Sequence, residues 1–263
     1  MKKIIVLGAN SDIGAYLCNN WLDEGYNVIG TYRVKNEHMD KLETKGLVPV
    51  KVDLSKDLNL NHGHNLMKVA ESWDLFISCI GDLRPLVTFE EANFSEWKSS
   101  FDLNFLKQIE VLHCLLQLPN SRSKSGRTSL FLAGGAMNNA TKYMSAYSIA
   151  KIGLTKFVEL CQFENPKDKF SIIGPGWMKT KIHNQTLQAK GKASELSSIT
   201  HMKTKTNDFN SFVKLQGLIE WVWSSPTEIV GGRNFSLSTD NWQDPDFVEK
   251  LKNNQERFKM RRA

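Results

Sequence analysis

Tyr147 and Lys151 stand four residues apart in the run Tyr147-Ser148-Ile149-Ala150-Lys151. On a helix that spacing places both side chains on one face, one turn apart. An ammonium beside a phenol favours the phenolate. It is therefore expected to draw a pKa that starts near ~10 toward neutrality and make Tyr147 a proton donor. Both residue types are ordinary on helix surfaces, so the pair gains meaning from its company. That company is a glycine-bearing turn at the start of the chain, Asn104 upstream and Pro175-Gly176 downstream.

The elements that must position these residues can be read in order. Residues 3–8 form a short continuous apolar run of the buried parallel-strand type. The turn Gly8-Ala9-Asn10-Ser11-Asp12-Ile13-Gly14 follows, then a helical pattern over 15–24 and a second strand over 27–32. Strand, glycine turn, helix and strand in this space make a βαβ unit. Such a turn brings backbone N–H groups and a helix N-terminus onto a pyrophosphate. Dinucleotide turns usually carry a third glycine between the outer two, and here Asp12 stands in that interval. The plain alternative is a tight turn that holds no ligand.

The second strand ends at Thr31-Tyr32-Arg33, with no acid until Glu37. A carboxylate at this place binds the ribose 2′-OH of NAD, whereas the guanidinium fork of Arg33 suits a 2′-phosphate. The expected cofactor is therefore NADP(H), with NAD(H) as the alternative. A third strand over 47–52 ends at Asp53-Leu54, placed to meet an adenine. A short helix is expected over 57–69, a fourth strand over 74–80 ending at Gly81 near a ribose, and a long helix over 94–116 carrying Asn104. A fifth strand over 128–133 leads into Gly134-Gly135. Strand six over 170–173 precedes Pro175-Gly176, and residues 181–210 are polar without clear periodicity, which suggests a lid at about 178–212. A helix over 212–223, a last strand over 232–237 and a terminal helix over 246–259 complete the chain. Seven strands alternating with helices predict a single-domain α/β fold, a doubly wound Rossmann-type parallel sheet.

Composition narrows the function classes. At 263 residues with a net charge of +6, the chain is large enough for one α/β domain and only mildly basic. Its basic run, residues 257–262, reads as a solvated helix end and not as a nucleic-acid contact. Cys18, Cys79, Cys114 and Cys161 lie far apart and read as buried thiols in a reducing compartment. His62 and His64 lack a completing acid or cysteine, so no metal site is expected. The apolar run at the start reaches glycine too soon for a signal peptide, and no stretch is long enough to span a membrane. A cytoplasmic protein acting on a small molecule is expected, without nucleic acid or membrane partners.

With Gly8 and Gly14, Asp53-Leu54, Asn104, Tyr147-x-x-x-Lys151 and Pro175-Gly176-x-x-x-Thr180 in this order, the chain resembles the short-chain dehydrogenase/reductase family in its compact single-domain branch. The resemblance runs from Ile4 to about Asp240. It implies a hydride-transferring enzyme in which Gly8, Asn10, Ser11, Asp12, Ile13 and Gly14 form the pyrophosphate turn. Tyr32 and Arg33 would lie at the 2′-phosphate, Asp53 and Leu54 by the adenine and Gly81 near the ribose. It further implies that Tyr147 protonates the substrate oxygen, that Lys151 binds ribose hydroxyls, and that Asn104 holds a relay water. Thr180 would bind the nicotinamide carboxamide, and Pro175 and Gly176 would set the turn above the ring. Homodimers or homotetramers joined through the Asn104 and Tyr147 helices are usual in such a family.

Three departures stand out. The family serine thirteen residues before the tyrosine is Gly134 here, and Asn138 on the same loop is the expected replacement, with Asn139 and Thr141 nearby. Ser78-Cys79-Ile80-Gly81 stands where an Asn-Asn-Ala-Gly stretch is common, and Asp12 sits in the pyrophosphate turn. A fainter similarity, in the Gly134-Gly135 loop, residues 175–183 and Trp242, points to members serving bacterial surface-polysaccharide biosynthesis. It suggests a sugar or activated-sugar substrate whose phosphate would meet Lys179, Lys181, His183 and Arg233. The other functional readings are a dinucleotide-binding sensor without hydride chemistry, motivated by Gly134, and an epimerase that uses its cofactor transiently.

Overall fold

The structure is a computed structural model that describes residues 1–61, 63–120, 126–134 and 140–261. Its strands are β1 (Lys3–Leu7), β2 (Asn27–Tyr32), β3 (Val48–Lys51), β4 (Leu75–Ser78), β5 (Thr128–Leu132), β6 (Lys169–Gly174) and β7 (Asn234–Ser236). They form one sheet in the order β3-β2-β1-β4-β5-β6-β7, with every pairing parallel. The helices are α1 (Asp12–Asp23), α2 (Glu37–Thr44), α3 (Asn65–Val69), α4 (Phe94–Phe101), α5 (Lys107–Leu116), α6 (Ser145–Glu164), α7 (His183–Leu187), α8 (Ser194–Thr206), α9 (Phe212–Ser224), α10 (Thr227–Val230) and α11 (Pro245–Asn253). This is the doubly wound Rossmann-type sheet that the sequence predicts.

The apolar runs are continuous because both faces of the sheet are covered. Along β1, Ile4 and Val6 enter a core with Leu17 and Trp21 of α1 and Leu215 and Leu218 of α9. Ile5 and Leu7 point the other way, into a core with Val111 and Leu112 of α5 and Leu154 and Val158 of α6. Adjacent residues thus serve opposite layers, as the two-residue period of a strand requires. Because all strands run the same way, their C-terminal ends share one edge. The order reverses between β1 and β4, and the crevice at such a switch point is where open α/β sheets bind ligands.

Several local expectations are corrected. The helix expected over 57–69 is confined to α3, because His64 caps it, its Nδ1 accepting from Leu66 N at 3.1 Å. The capping role also gives that histidine a structural job, and no metal-holding group of His, Cys, Asp or Glu occurs among the described residues. The long helix over 94–116 is broken by a π-helical turn, Asp102–Leu106, between α4 and α5. The aperiodic stretch 181–210 contains α7 and α8. Threonines meet at their contact: Thr186 and Thr200 are buried with their hydroxyls 2.7 Å apart. Hydrophobic periodicity is silent where hydroxyls fill the seam.

The terminal helix stops at Asn253, and the chain then folds back instead of fraying. The Phe258 carbonyl accepts from Asn234 N at 2.9 Å, and its ring lies against Phe235 and Phe247. Arg261 pairs with Glu159 at 2.7 Å. Cys18 and Cys79 are buried, whereas Cys114 and Cys161 are only partly so. Among the described residues no helix is long and apolar enough to cross a membrane.

Candidate active site

The strand ends deliver the expected residues to one crevice. Gly8 follows β1 with φ of +88°, a left-handed conformation that side chains disfavour. A Cβ on Gly14 would lie 2.3 Å from the Gly8 carbonyl oxygen. Only glycine lets α1 start so close to β1. Ser11 caps that helix, its hydroxyl accepting from Gly14 N at 3.0 Å. Asn10 ties the turn to the loop after β2: its Nδ2 donates to the Val34 carbonyl, and its own carbonyl accepts from Asn36 Nδ2, each at 3.1 Å. Among the described residues, the N–H groups of Asp12 and Ile13 meet no protein acceptor. These are donors in the form a diphosphate uses.

Around this turn, Tyr32 closes β2 half-buried and Arg33 follows it exposed, without an ion pair among the described residues. Asp53 follows β3, where Ser55 donates to it through both N–H (3.0 Å) and hydroxyl (2.7 Å). These bonds, with Lys56 and Arg33 nearby, hold its carboxyl below the usual range. Leu54 is buried behind it.

On the other side of the switch point, α6 presents Tyr147 and Lys151 on one face as the spacing requires. Lys151 is 2% exposed and its Nζ donates to the Ile80 carbonyl at 2.9 Å. Of its three donors, only that one meets an acceptor among the described residues, so two remain available to a ligand. Burial pushes its pKa down to about 7. The same burial raises the Tyr147 phenol to about 12, opposite to the expected direction. Nζ lies 5.8 Å from the tyrosine ring centroid and faces the Ile80 carbonyl, so desolvation outweighs its field.

Asn104 lies fully buried in the π-helical turn. Its side-chain amide pairs with the main chain of Asp82, accepting from N at 3.0 Å and donating to O at 2.8 Å. It therefore fixes the segment that follows Gly81. Its own carbonyl accepts from Gln108 Nε2 at 2.8 Å, and Gln108 Oε1 accepts from the Ser78 hydroxyl at 2.6 Å. Sequence reasoning missed Gln108. The signal was available, since an amide one turn beyond Asn104 on a buried helix face needs a partner, and Ser78 stands where an asparagine is common.

After β6, Pro175 and Gly176 make the turn above the crevice, Gly176 with φ of +65°. The Pro175 carbonyl accepts from Asn210 Nδ2 at 2.8 Å, and Asn210 N donates to the Trp177 carbonyl at 2.6 Å. The two stems of segment 178–210 are thereby tied together. Thr180 is half-buried, its hydroxyl donating to Met178 O at 3.3 Å. Two of the expected phosphate-binding cations are otherwise engaged. His183 stacks on Trp177 with ring centroids 4.5 Å apart. Arg233 is fully buried before β7, donating to the Leu251 carbonyl at 2.9 Å, far in function from any lid. Asn138 and Asn139 lie outside the described residues; Thr141 is exposed, with its hydroxyl 3.1 Å from that of Ser148.

The short chain dehydrogenase family model matches residues 2–191. The chain belongs to this family. This short-chain dehydrogenase is 24% identical over 199 residues to an uncharacterized oxidoreductase of Saccharomyces cerevisiae, covering 73% of this chain and 77% of the yeast protein. A crystal structure of that yeast protein superposes with a TM-score of 0.77 at 20% identity, over 95% of this chain and 99% of the other. An uncharacterized oxidoreductase of Schizosaccharomyces pombe is 23% identical over 184 residues, covering 69% of this chain and 72% of its own. An NADPH-dependent reductase involved in bacilysin biosynthesis superposes with a TM-score of 0.75 at 13% identity, over 93% of this chain and 98% of that one. The protein is an NAD(P)-dependent oxidoreductase of the short-chain dehydrogenase/reductase family.

Gly134 departs from that family in a way the geometry explains. A Cβ there would lie 2.7 Å from Tyr147 Cε1 and 3.0 Å from its hydroxyl oxygen. The tyrosine occupies space that a serine would need. Gly134→Ser is therefore expected to displace the ring and, if Tyr147 takes part in the reaction, to lower kcat roughly tenfold or more. Steady-state assay of the purified variant checks this; a rise in kcat would show that the ring yields and that the missing hydroxyl is simply lost.

Proposed function

We propose that this enzyme is an NADP(H)-dependent carbonyl reductase of small molecules, with Tyr147 as the acid and Lys151 as its partner. One observation carries the reading: a buried ammonium and a half-buried phenol share one helix face at the switch-point crevice. Burying an ammonium costs several kcal/mol unless it gains partners, and a protein that merely binds a dinucleotide has no use for a phenol beside it. That argument disfavours the sensor reading.

The bound dinucleotide supplies the hydride. In this proposal Gly8, Asn10, Ser11, Asp12, Ile13 and Gly14 hold the diphosphate against the start of α1, and Lys151 spends its two free donors on ribose hydroxyls. Asp53 and Leu54 take the adenine, and Thr180 the carboxamide. Pro175 and Gly176 shape the wall above, and Gly81 lets the backbone pass close. Asn104 holds residues 81–82 in place. Its carbonyl, which accepts from Gln108 Nε2, is the proposed anchor for a relay water behind Lys151. Tyr147, with its pKa near 12, stays protonated through neutral pH and so can donate to a substrate oxygen. Asn138 remains the residue proposed to steady that oxygen in the absence of a serine, and residues 178–212 act as the substrate lid.

Exposed Arg33, with no carboxylate at the end of β2, supports NADP(H) over NAD(H). Neighbouring folds occur with both: a Shigella flexneri short chain dehydrogenase complexed with NADP and a 4-hydroxyisoleucine dehydrogenase complexed with NADH. Lys179, exposed and in no ion pair among the described residues, supports an activated sugar phosphate as the substrate class. Transient cofactor use in an epimerisation would show as substrate conversion without net NADPH oxidation.

Turnover of NADPH with a panel of ketones, keto sugars and aldehydes tests the reading. Tyr147→Phe is expected to lower kcat by roughly a hundredfold or more, and Arg33→Ala to raise KM for NADPH more than for NADH. Unchanged turnover in the phenylalanine variant would sink the catalytic assignment.

Lys151 is positive below about pH 7 and neutral above it. If its ammonium supports proton donation by Tyr147, kcat/KM for reduction falls as pH rises through about 7. The reverse oxidation, which needs a proton acceptor, gains over the same range. A reduction profile flat from pH 6 to 9 would exclude Lys151 as the controlling group.

Self-association forms part of the same proposal. Phe94, Leu106, Ile149, Leu160 and Phe163 are exposed on α4, the π-helical turn and α6, the faces through which a homodimer would pack. Sedimentation at micromolar concentration is expected to show a dimer or tetramer, and Leu160→Glu to shift it toward monomer.

A further inference from the structure

Asp12 is the first residue of α1, within the turn proposed to hold the diphosphate. An acid is costly there, since it repels an anion bound at the same helix end. Its carboxylate, however, is committed elsewhere. One oxygen accepts from the main-chain N–H of Lys181 at 2.5 Å, across 169 residues of sequence. Lys181 Nζ lies 3.8 Å from the other oxygen, and His38 Nε2 lies 4.0 Å from it.

The bond grips the lid at a telling place. Thr180 precedes Lys181, and Ile182 follows it. Ile182 Cδ1 lies 3.3 Å from where a Cβ on Gly81 would stand, and the Tyr147 ring lies 4.0 Å from the same point. Residues 180–182 therefore overlie the Gly81–Tyr147 side of the crevice. The far stem of the lid is fixed separately, by Asn210. Asp12 supplies the bond that joins the near stem to the opposite wall.

We propose that Asp12 is a positioning residue that fastens residues 180–182 to the first turn of α1, so that the cofactor turn and the lid close as one unit. The inference rests on the reading that a dinucleotide occupies this crevice. An acceptor is needed at position 12, and its negative charge is secondary. Asparagine keeps the acceptor and drops the charge, whereas alanine drops both.

The test compares the wild type with Asp12→Asn and Asp12→Ala by amide hydrogen exchange over residues 178–190, NADPH titration and steady-state kinetics. In the alanine variant, exchange at 180–182 is expected to rise about tenfold, and kcat/KM for NADPH to fall by a similar factor, the scale of one lost hydrogen bond. The asparagine variant is expected to stay within about threefold of the wild type in exchange. Lys181→Pro removes the donor from the lid side and leaves α1 untouched. It should reproduce the alanine phenotype, and the double variant should be no worse than either single one. Wild-type exchange in the alanine variant overturns the proposal. So does equal tightening of NADPH binding in both Asp12 variants, which would leave Asp12 as a charge beside the diphosphate. Failure of the wild type to bind NADPH or NADH, with lid protection still lost in the alanine variant, would refute the cofactor reading and leave the fastening intact.

Discussion

The close approach of α1 to β1, with no side chain between Gly14 and the Gly8 carbonyl, is the constraint on which the site depends. It brings the start of a helix, with its unpaired N–H groups, directly over the end of the central strand. Everything else in the crevice is measured from that point. Because the sheet is wholly parallel, the segments after β2, β3, β4, β5 and β6 emerge on the same side. Adjacent strand ends then bring residues far apart in sequence within bonding distance. A larger residue at position 14 would push α1 away and lift the whole arrangement off its floor.

A second tension concerns Lys151. The packing around the crevice strips water from its ammonium and from the Tyr147 phenol. Both groups are pushed toward neutrality. The Ile80 carbonyl offsets part of the cost for the lysine, and the segment bearing that carbonyl is held by Asn104 through Asp82. Gln108 and Ser78 in turn steady the π-helical turn that presents Asn104. A chain of buried amides and hydroxyls thus supports one charge, and the loss of any link leaves a polar group unpaired in the interior.

Much of this was legible in the sequence. The order of strands and the glycine turn follow from apolar runs and breakers, and the Tyr147–Lys151 face follows from helical spacing alone. Asn104 could be named, but what it holds could not, because Asp82 is a neighbour only in space. Helices α7 and α8 are hard to read because Thr186 and Thr200 meet buried between them, and threonine leaves no apolar stripe. The direction of the Tyr147 shift is hidden from the sequence for a related reason. Spacing shows that an ammonium is near, whereas burial, which decides the sign, is a property of the whole packed layer. Arg233, at the start of the last strand, reads from the sequence as a cation free to meet a phosphate. Its burial depends on α11 and the tail folding over it.

The returning tail has a consequence for how copies of the chain can meet. A seven-stranded sheet has two open margins, and margins with free N–H and C=O groups invite another chain to add a strand. At the β7 margin the Phe258 carbonyl already takes Asn234 N, and Asp240 takes Ser236 N. At the β3 margin, Pro49 has no N–H to offer, and Lys51 stands exposed beside it. Both margins are blunted. Sheet extension between molecules is thereby discouraged, and the surfaces left for self-recognition are helical.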